Sequence, residues 1–184
     1  MTQFRIAMIV GSLRSGSVNR RLAHALMQLA PPDLACAEVA IGDLPLYVQD
    51  QDQAPPPAVQ RFREEVRSVQ GVVFVTPEYN RSIPGVLKNA IDHGSRPYGQ
   101  SAWAGRPAGV VGASIGAIGT AAAQQHLRSI LGALDMPTLC QPEVFLHYKD
   151  GLIAEDGSIS DERTAAFLQG WMDRYAAWVR RFAA

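Results

Sequence analysis

Phe4-Arg5-Ile6-Ala7-Met8-Ile9-Val10 runs straight into Gly11-Ser12-Leu13-Arg14-Ser15-Gly16-Ser17-Val18-Asn19, and this join sets the kind of fold the chain can adopt. The first seven residues are an apolar, β-type run, and a helix-like stretch follows from Asn19 to Ala30. The order is buried strand, small-residue loop, helix start. That geometry aims backbone N–H groups and the positive end of a helix dipole at one spot, which suits an anion. The hydroxyls of Ser12, Ser15 and Ser17, the Asn19 amide and the Arg14 guanidinium add donors. A guanidinium matches the oxygens of a phosphate well.

The nature of the anion can be narrowed. A Walker A loop needs Lys after its second Gly, but Ser17 follows Gly16, so a nucleoside triphosphate is disfavoured. The fingerprint G-x-G-x-x-G is also missing, and with it the close approach to a pyrophosphate. A hydroxyl-rich loop with one Arg suits a single terminal phosphate. An ordinary strand–helix turn with Ser as N-cap stays open at this point.

Beyond this join, Leu22, Leu26 and Leu29 share one helical face, and Pro31-Pro32 stops that helix. Leu34 to Ile41 reads as a second strand. Gly42 to Pro57 is a long loop whose Leu44-Pro45-Leu46-Tyr47 cluster predicts an ordered rim over a site or a partner subunit. Ala58 to Gln70 is amphipathic, with Val59, Phe62, Val66 and Val69 on one side. Gly71 to Thr76 has the unbroken apolar character of a strand buried on both faces. A loop from Pro77 to Ile83 leads to a helix from Pro84 to Gly94, with the proline in its first turn. Ser95 to Arg106 is a further loop, carrying Tyr98 and Trp103. Pro107 to Ala113 is a fourth strand, Thr120 to Leu134 a helix, and Thr138 to His147 a fifth strand. A last helix is expected from Ser160, as N-cap, to Phe182, with Trp171, Tyr175, Trp178 and Phe182 facing the core.

Strand and helix thus alternate five times over residues 1–184, with no repeat, linker or low-complexity tract. This predicts a single α/β domain, a parallel sheet with helices on both faces. Ligands of such sheets sit beyond the carboxyl ends of the strands, at the switch point. The loops Gly11–Asn19, Pro77–Ile83 and Gly112–Gly119 should meet there. Pro77-Glu78-Tyr79-Asn80 offers backbone donors and an aromatic for a flat heterocycle, although the same residues also make ordinary turns. Gly112-x-x-x-Gly116-x-x-Gly119 resembles a variant dinucleotide loop. It follows the fourth strand and lacks the acidic ribose partner, so close approach of a planar ring is the preferred reading.

Composition narrows the function classes. Lys+Arg and Asp+Glu are both 17, which argues against a global positive field for nucleic acid. No apolar run reaches the roughly 18–20 residues of a membrane helix. No signal peptide is visible, so a cytoplasmic protein is expected. Cys36 and Cys140 fall in strand-like runs without C-x-x-C spacing and read as buried free thiols. The four histidines share no motif, so neither a metal site nor a Ser–His triad is supported. Gly112-x-Ser114-x-Gly116 imitates a nucleophile elbow in spelling only.

The combination of Gly11-Ser12-Leu13-Arg14-x-x-Ser17-x-Asn19, Pro77-Glu78-Tyr79-Asn80 with Ser82-x-Pro84-Gly85-x-Leu87-Lys88-Asn89-Ala90-Ile91-Asp92, and Ser114-x-Gly116 resembles the NADPH-dependent FMN reductase family. The bacterial quinone and chromate reductase branch is the nearest, and Asp43 to Tyr47, His126-Leu127-Arg128 and Pro142-Glu143 also fit it. The resemblance implies a flavodoxin-like three-layer sandwich with strand order 2-1-3-4-5. It implies bound FMN, NADPH or NADH as co-substrate, and a small-molecule electron acceptor such as a quinone, flavin, azo compound or chromate. NAD(P)H would donate a hydride and leave, and the acceptor would take its place and the electrons. By position, Ser12, Arg14, Ser17, Val18 and Asn19 would hold the FMN phosphate. Pro77, Glu78, Tyr79 and Asn80 would line the isoalloxazine, largely through backbone. Ser114 and Gly116 would border its other side, and no side chain is assigned as catalytic acid or base. A homodimer or homotetramer is implied, with Arg128 and Glu143 contributing to pairing between dimers. Arg81 and Trp103 depart from the family pattern and are expected to reshape the ring-side pocket. A flavodoxin-type carrier and a nicotinamide dehydrogenase using the Gly112–Gly119 loop are the alternatives.

Overall fold

The computed structural model describes residues 3–182. Five strands, β1 (Phe4–Val10), β2 (Leu34–Glu38), β3 (Gly71–Val75), β4 (Ala108–Ser114) and β5 (Val144–His147), form one sheet. All four pairings are parallel and the order is β2-β1-β3-β4-β5, the flavodoxin-like order expected. The connecting helices are α1 (Val18–Gln28), α2 (Pro57–Ser68), α3 (Gly85–Gly94) and α4 (Ala121–Ala133), and α5 (Glu162–Phe182) follows β5.

Alternation along the strands builds two cores. Ile6, Met8, Val10, Val73, Val75, Val111 and Ala113 face one side, against Leu22 and Leu26 of α1 and Trp171 and Tyr175 of α5. Ala7, Ile9, Val72, Phe74 and Val110 face the other, against Phe62 of α2, Leu87 and Ile91 of α3, and Leu127 of α4. Period-two strands that are apolar on both faces must be covered twice, and the result is three layers. The α5 aromatics lie directly on the sheet because β3 and β4 present glycine there. A Cβ on Gly109 would stand 2.7 Å from Trp171, and one on Gly71 would stand 2.6 Å from the Tyr175 hydroxyl. Trp171 and Tyr175 are parallel, centroids 5.4 Å apart.

Several sequence expectations need correction. Strand β2 ends at Glu38, although Val39 still donates to the Met8 carbonyl at 3.0 Å. The fifth strand starts at Val144, because Pro142 has no N–H to give a ladder. Residue Ser160 does not cap α5; Asp161 does, its Oδ2 accepting the Thr164 N–H at 2.7 Å. Cys140 is exposed and Cys36 half-buried, and both are free. Trp103 does not shape a pocket. It is fully buried between Phe62 and Phe74 and donates its Nε1–H to the Ile91 carbonyl at 2.9 Å. Phe182 is exposed and packs on Trp178 rather than in the core. The Gly42–Pro57 loop is ordered by α3: Asn89 accepts the Tyr47 N–H and donates to the Pro45 carbonyl, both at 2.8 Å. Leu46, however, stays exposed.

Candidate FMN and nicotinamide site

Parallel strands put every strand's carboxyl end on one edge, so the loops after β1, β3 and β4 are neighbours there. The loop after β1 is a donor cradle. Gly11 donates to the Val75 carbonyl at 2.9 Å, and the next protein-bonded backbone N–H is that of Arg20, held by Ser17 Oγ at 3.2 Å. None of the backbone N–H groups of Ser12 through Asn19 makes a well-formed hydrogen bond to an acceptor among the described residues, although the turn at Ser15-Gly16 brings the Ser17 N–H toward the Arg14 carbonyl. Those of Val18 and Asn19 open α1, where no intrahelical partner exists. Ser12 and Ser17 are buried, and the Ser12 hydroxyl is unpaired among the described residues. Arg14 is exposed and has no ion pair among the described residues. A cleft of about 240 Å³ nearby is lined by Ser15, Ser17, Arg20, Arg21, His24 and Glu155. Its arginines are already answered, Arg20 by Glu38 at 3.2 Å and Arg21 by Glu155 at 3.3 Å. The unanswered positive charge is at Arg14.

Asn19 differs from expectation. Its side chain does not join the cradle: Nδ2 donates to the Ala113 carbonyl and Oδ1 accepts the Ala113 N–H, both at 2.9 Å. What Asn19 leaves for an anion is its backbone N–H.

The loop after β3 is a tight hairpin. Tyr79 and Ser82 exchange both backbone bonds at 2.9 Å, and Asn80 and Arg81 have φ of 50° and 65°. Two positive φ angles between a bridged pair make a type I′ turn. The pairing takes Tyr79's backbone groups, so the donors remaining for a ligand are the N–H groups of Glu78, Asn80 and Arg81. Pro77 packs beside Gly11, where a Cβ would stand 3.3 Å from its ring. Glu78 is only 9% exposed at its side chain. Its Oε2 accepts the Ala123 N–H in the first turn of α4, and its Oε1 accepts from Arg81 Nη1, both at 3.1 Å. Thr120, the N-cap of α4, makes no capping bond. Glu78 takes that role from another loop.

In the third loop, Ser114 Oγ accepts the Gly116 N–H at 3.0 Å. Gly112 lies inside β4, where a Cβ would collide with Thr120 Oγ1 and the Thr76 carbonyl; Gly119, at φ 62°, lies on the Phe145 backbone. Two glycines of the dinucleotide-like pattern are thus demanded by packing, which removes the reason to read a pyrophosphate loop. Tyr79, Ile115, Ile118 and Leu13 are all exposed on loops at this edge. A polar cradle beside exposed apolar side chains fits a ligand with a phosphate tail and a flat ring. Among the described residues, no group of three or more His, Cys, Asp or Glu is placed to hold a metal ion.

A sequence profile of the family described as NADPH-dependent FMN reductase matches residues 4–151. The chain belongs to the NADPH-dependent FMN reductase family. Its matched span covers all three loops and stops short of α5, so this family's signature is the site-bearing part of the sheet. The family member is 51% identical over 176 residues to a 2-hydroxy-1,4-benzoquinone reductase of a Burkholderia species, covering 96% of each chain. It is 52% identical over 178 residues to a quinone reductase of Pseudomonas putida, covering 96% of this chain and 95% of the other. The solved structure of FerB, a flavoenzyme NAD(P)H:(acceptor) oxidoreductase from Paracoccus denitrificans, superposes with a TM-score of 0.93 at 41% identity, covering 97% of this chain and 98% of that one. As a member of this family the protein is an FMN- and NAD(P)H-dependent oxidoreductase.

Proposed function

We propose that residues 1–184 form one FMN-binding domain that reduces quinones with NAD(P)H. The observation that carries this reading is the run of backbone N–H groups from Ser12 to Asn19 that make no well-formed hydrogen bond among the described residues, beside the exposed Arg14. The names of the two relatives at 51% and 52% identity support quinones as the acceptor class.

Each candidate residue has a stated task. Ser12 and Ser17 supply hydroxyls, Val18 and Asn19 supply helix N–H groups, and Arg14 supplies charge to the FMN phosphate. The N–H groups of Glu78 and Asn80, set by Pro77 and the hairpin, would be the donors for the polar edge of the ring. Tyr79 supplies an apolar flank, and Ser114 and Gly116 border the opposite side. Bound FMN supplies the two-electron chemistry between reduced nicotinamide and acceptor. The protein would bind and orient the group. No side chain is required as acid or base.

The free, half-buried Cys36 and exposed Cys140 fit a reducing compartment, and we place the enzyme in the cytoplasm. No helix among the described residues is long and apolar enough to cross a membrane. A homodimer or homotetramer is supported by the exposed Leu46, Val48 and Tyr98, which a second copy would cover. Arg128, 3.9 Å from Glu143 within one chain and bonded to the Leu139 carbonyl, is the candidate for pairing between dimers.

The test is spectroscopic. The purified protein with FMN should be yellow, bleach anaerobically on adding NADPH or NADH, and recover colour on adding a quinone. Colour that resists both nucleotides would instead indicate an electron carrier.

A further inference from the structure

Residue 81 is a strained place for an arginine. Its φ of 65°, after Asn80 at 50°, is backbone that glycine and asparagine adopt easily and other residues rarely. Non-glycine residues held in such conformations concentrate where function requires them. Here the strain presents a cation. The Arg81 side chain is 73% exposed, and its single polar contact among the described residues is Nη1 to Glu78 Oε1 at 3.1 Å.

Glu78 does not cancel that cation completely. Its other oxygen accepts the Ala123 N–H, at the positive end of the α4 dipole. The carboxylate is therefore shared between a helix terminus and the guanidinium. It acts as a fixed post for Arg81, whose Nε and Nη2 hydrogens have no protein acceptor among the described residues. A post of this kind costs less side-chain freedom on ligand capture than a free arginine would.

We propose that Arg81 is a specificity-determining residue whose guanidinium receives an anionic oxygen of the electron acceptor. It would favour acceptors ionised at neutral pH, the hydroxyquinones being the chemical class, over neutral quinones of the same size. The inference rests on the ring placement proposed above, because Tyr79 and Asn80 of the same hairpin border that ring. A hydroxyquinone anion places its C2 oxyanion next to the C1 carbonyl oxygen, and a forked guanidinium can donate to these two neighbouring oxygens together, which a compact ammonium does less well. The 2′-phosphate of NADPH carries the same oxyanion chemistry and is the competing source.

The two half-reactions separate these sources. Holoenzyme with Arg81→Gly and Arg81→Lys is compared with wild type by anaerobic stopped flow, after FMN content is measured. Glycine suits the backbone angle and removes the charge, and lysine keeps a charge without the fork. Reoxidation is followed with lawsone, an ionised hydroxynaphthoquinone, and with menadione, a neutral methylnaphthoquinone. The expected result for Arg81→Gly is a roughly tenfold fall in kcat/KM for lawsone, the size of one charge-assisted hydrogen bond, with menadione changed by less than about twofold. Lysine should restore part of the lawsone rate, and added salt should narrow the wild-type preference. Equal changes for both acceptors, or none, in variants that retain FMN would overturn the assignment. So would a loss confined to reduction by NADPH relative to NADH, which would give the guanidinium to the nucleotide phosphate. A wild-type chain that binds no FMN would instead refute the ring placement itself.

Discussion

Asn19 and Ala113 exchange two buried hydrogen bonds, the side-chain amide of the first pairing with the backbone N–H and carbonyl of the second at 2.9 Å each. The amide thereby imitates a strand and ties the start of α1 to the end of β4, passing over β3. Asn19→Ala would leave both Ala113 groups buried and unpaired. The expected loss is about 3 kcal/mol of unfolding free energy in urea, with weaker FMN binding. An unchanged urea midpoint would show that the tie is not needed.

A second tie is steric. Gly112 lets the end of β4 lie against Thr120 and the Thr76 carbonyl, both fully buried residues. Gly112→Ala forces these apart and should cost about 3 kcal/mol, seen as a lowered Tm. Gly16→Ala, where a Cβ meets nothing within 4 Å, is the control and should leave Tm nearly unchanged.

The two thiols should differ in reactivity. Burial pushes the Cys36 thiol up to about 11, while Cys140 is exposed. Since the thiolate is the reactive form, Ellman's reagent at neutral pH should titrate one thiol quickly in the native protein and the second only after denaturation. Two fast thiols would contradict the packing around Cys36.

One ion pair carries a sign that pH can read. Arg180 grips Asp33 through two bonds of 2.8 Å, which holds the Asp33 carboxyl below its ordinary range. A lowered folded value stabilises the fold above the unfolded value of about 4 and ceases to do so as pH falls through the folded one. The Arg180 side chain is nearly half exposed, so Asp33→Asn should cost about 1 kcal/mol or less at pH 7. The gap between the two proteins should close in acid, followed by urea titrations at several pH values.

Much of this was legible in the order of residues. Period-two apolar strands and three-to-four-spaced helix faces fixed the layers, and small residues after β1 marked the loop proposed to hold the phosphate. What escaped was set by contacts distant in sequence. Nothing local in Pro77 to Asn80 says that Glu78 will cap a helix starting over 40 residues later, or that Asn19 will turn to Ala113 instead of a ligand. Trp103 is expected at the ring-side pocket because it departs from the family pattern; the Ile91 carbonyl that holds it in the core lies on another element. Asp161 displaced Ser160 by one residue, the usual scale of error at a helix start.

The loop after β1 is proposed to grip a lone phosphate. Titration of the apoprotein with FMN and with riboflavin, followed by flavin fluorescence, tests it directly, because the two ligands differ only in that group. FMN should bind at least ~100-fold tighter than riboflavin, with Arg14→Ala removing a large part of the difference. Equal affinities for the two flavins, or a preference untouched by Arg14→Ala together with Ser12→Ala, would contradict it.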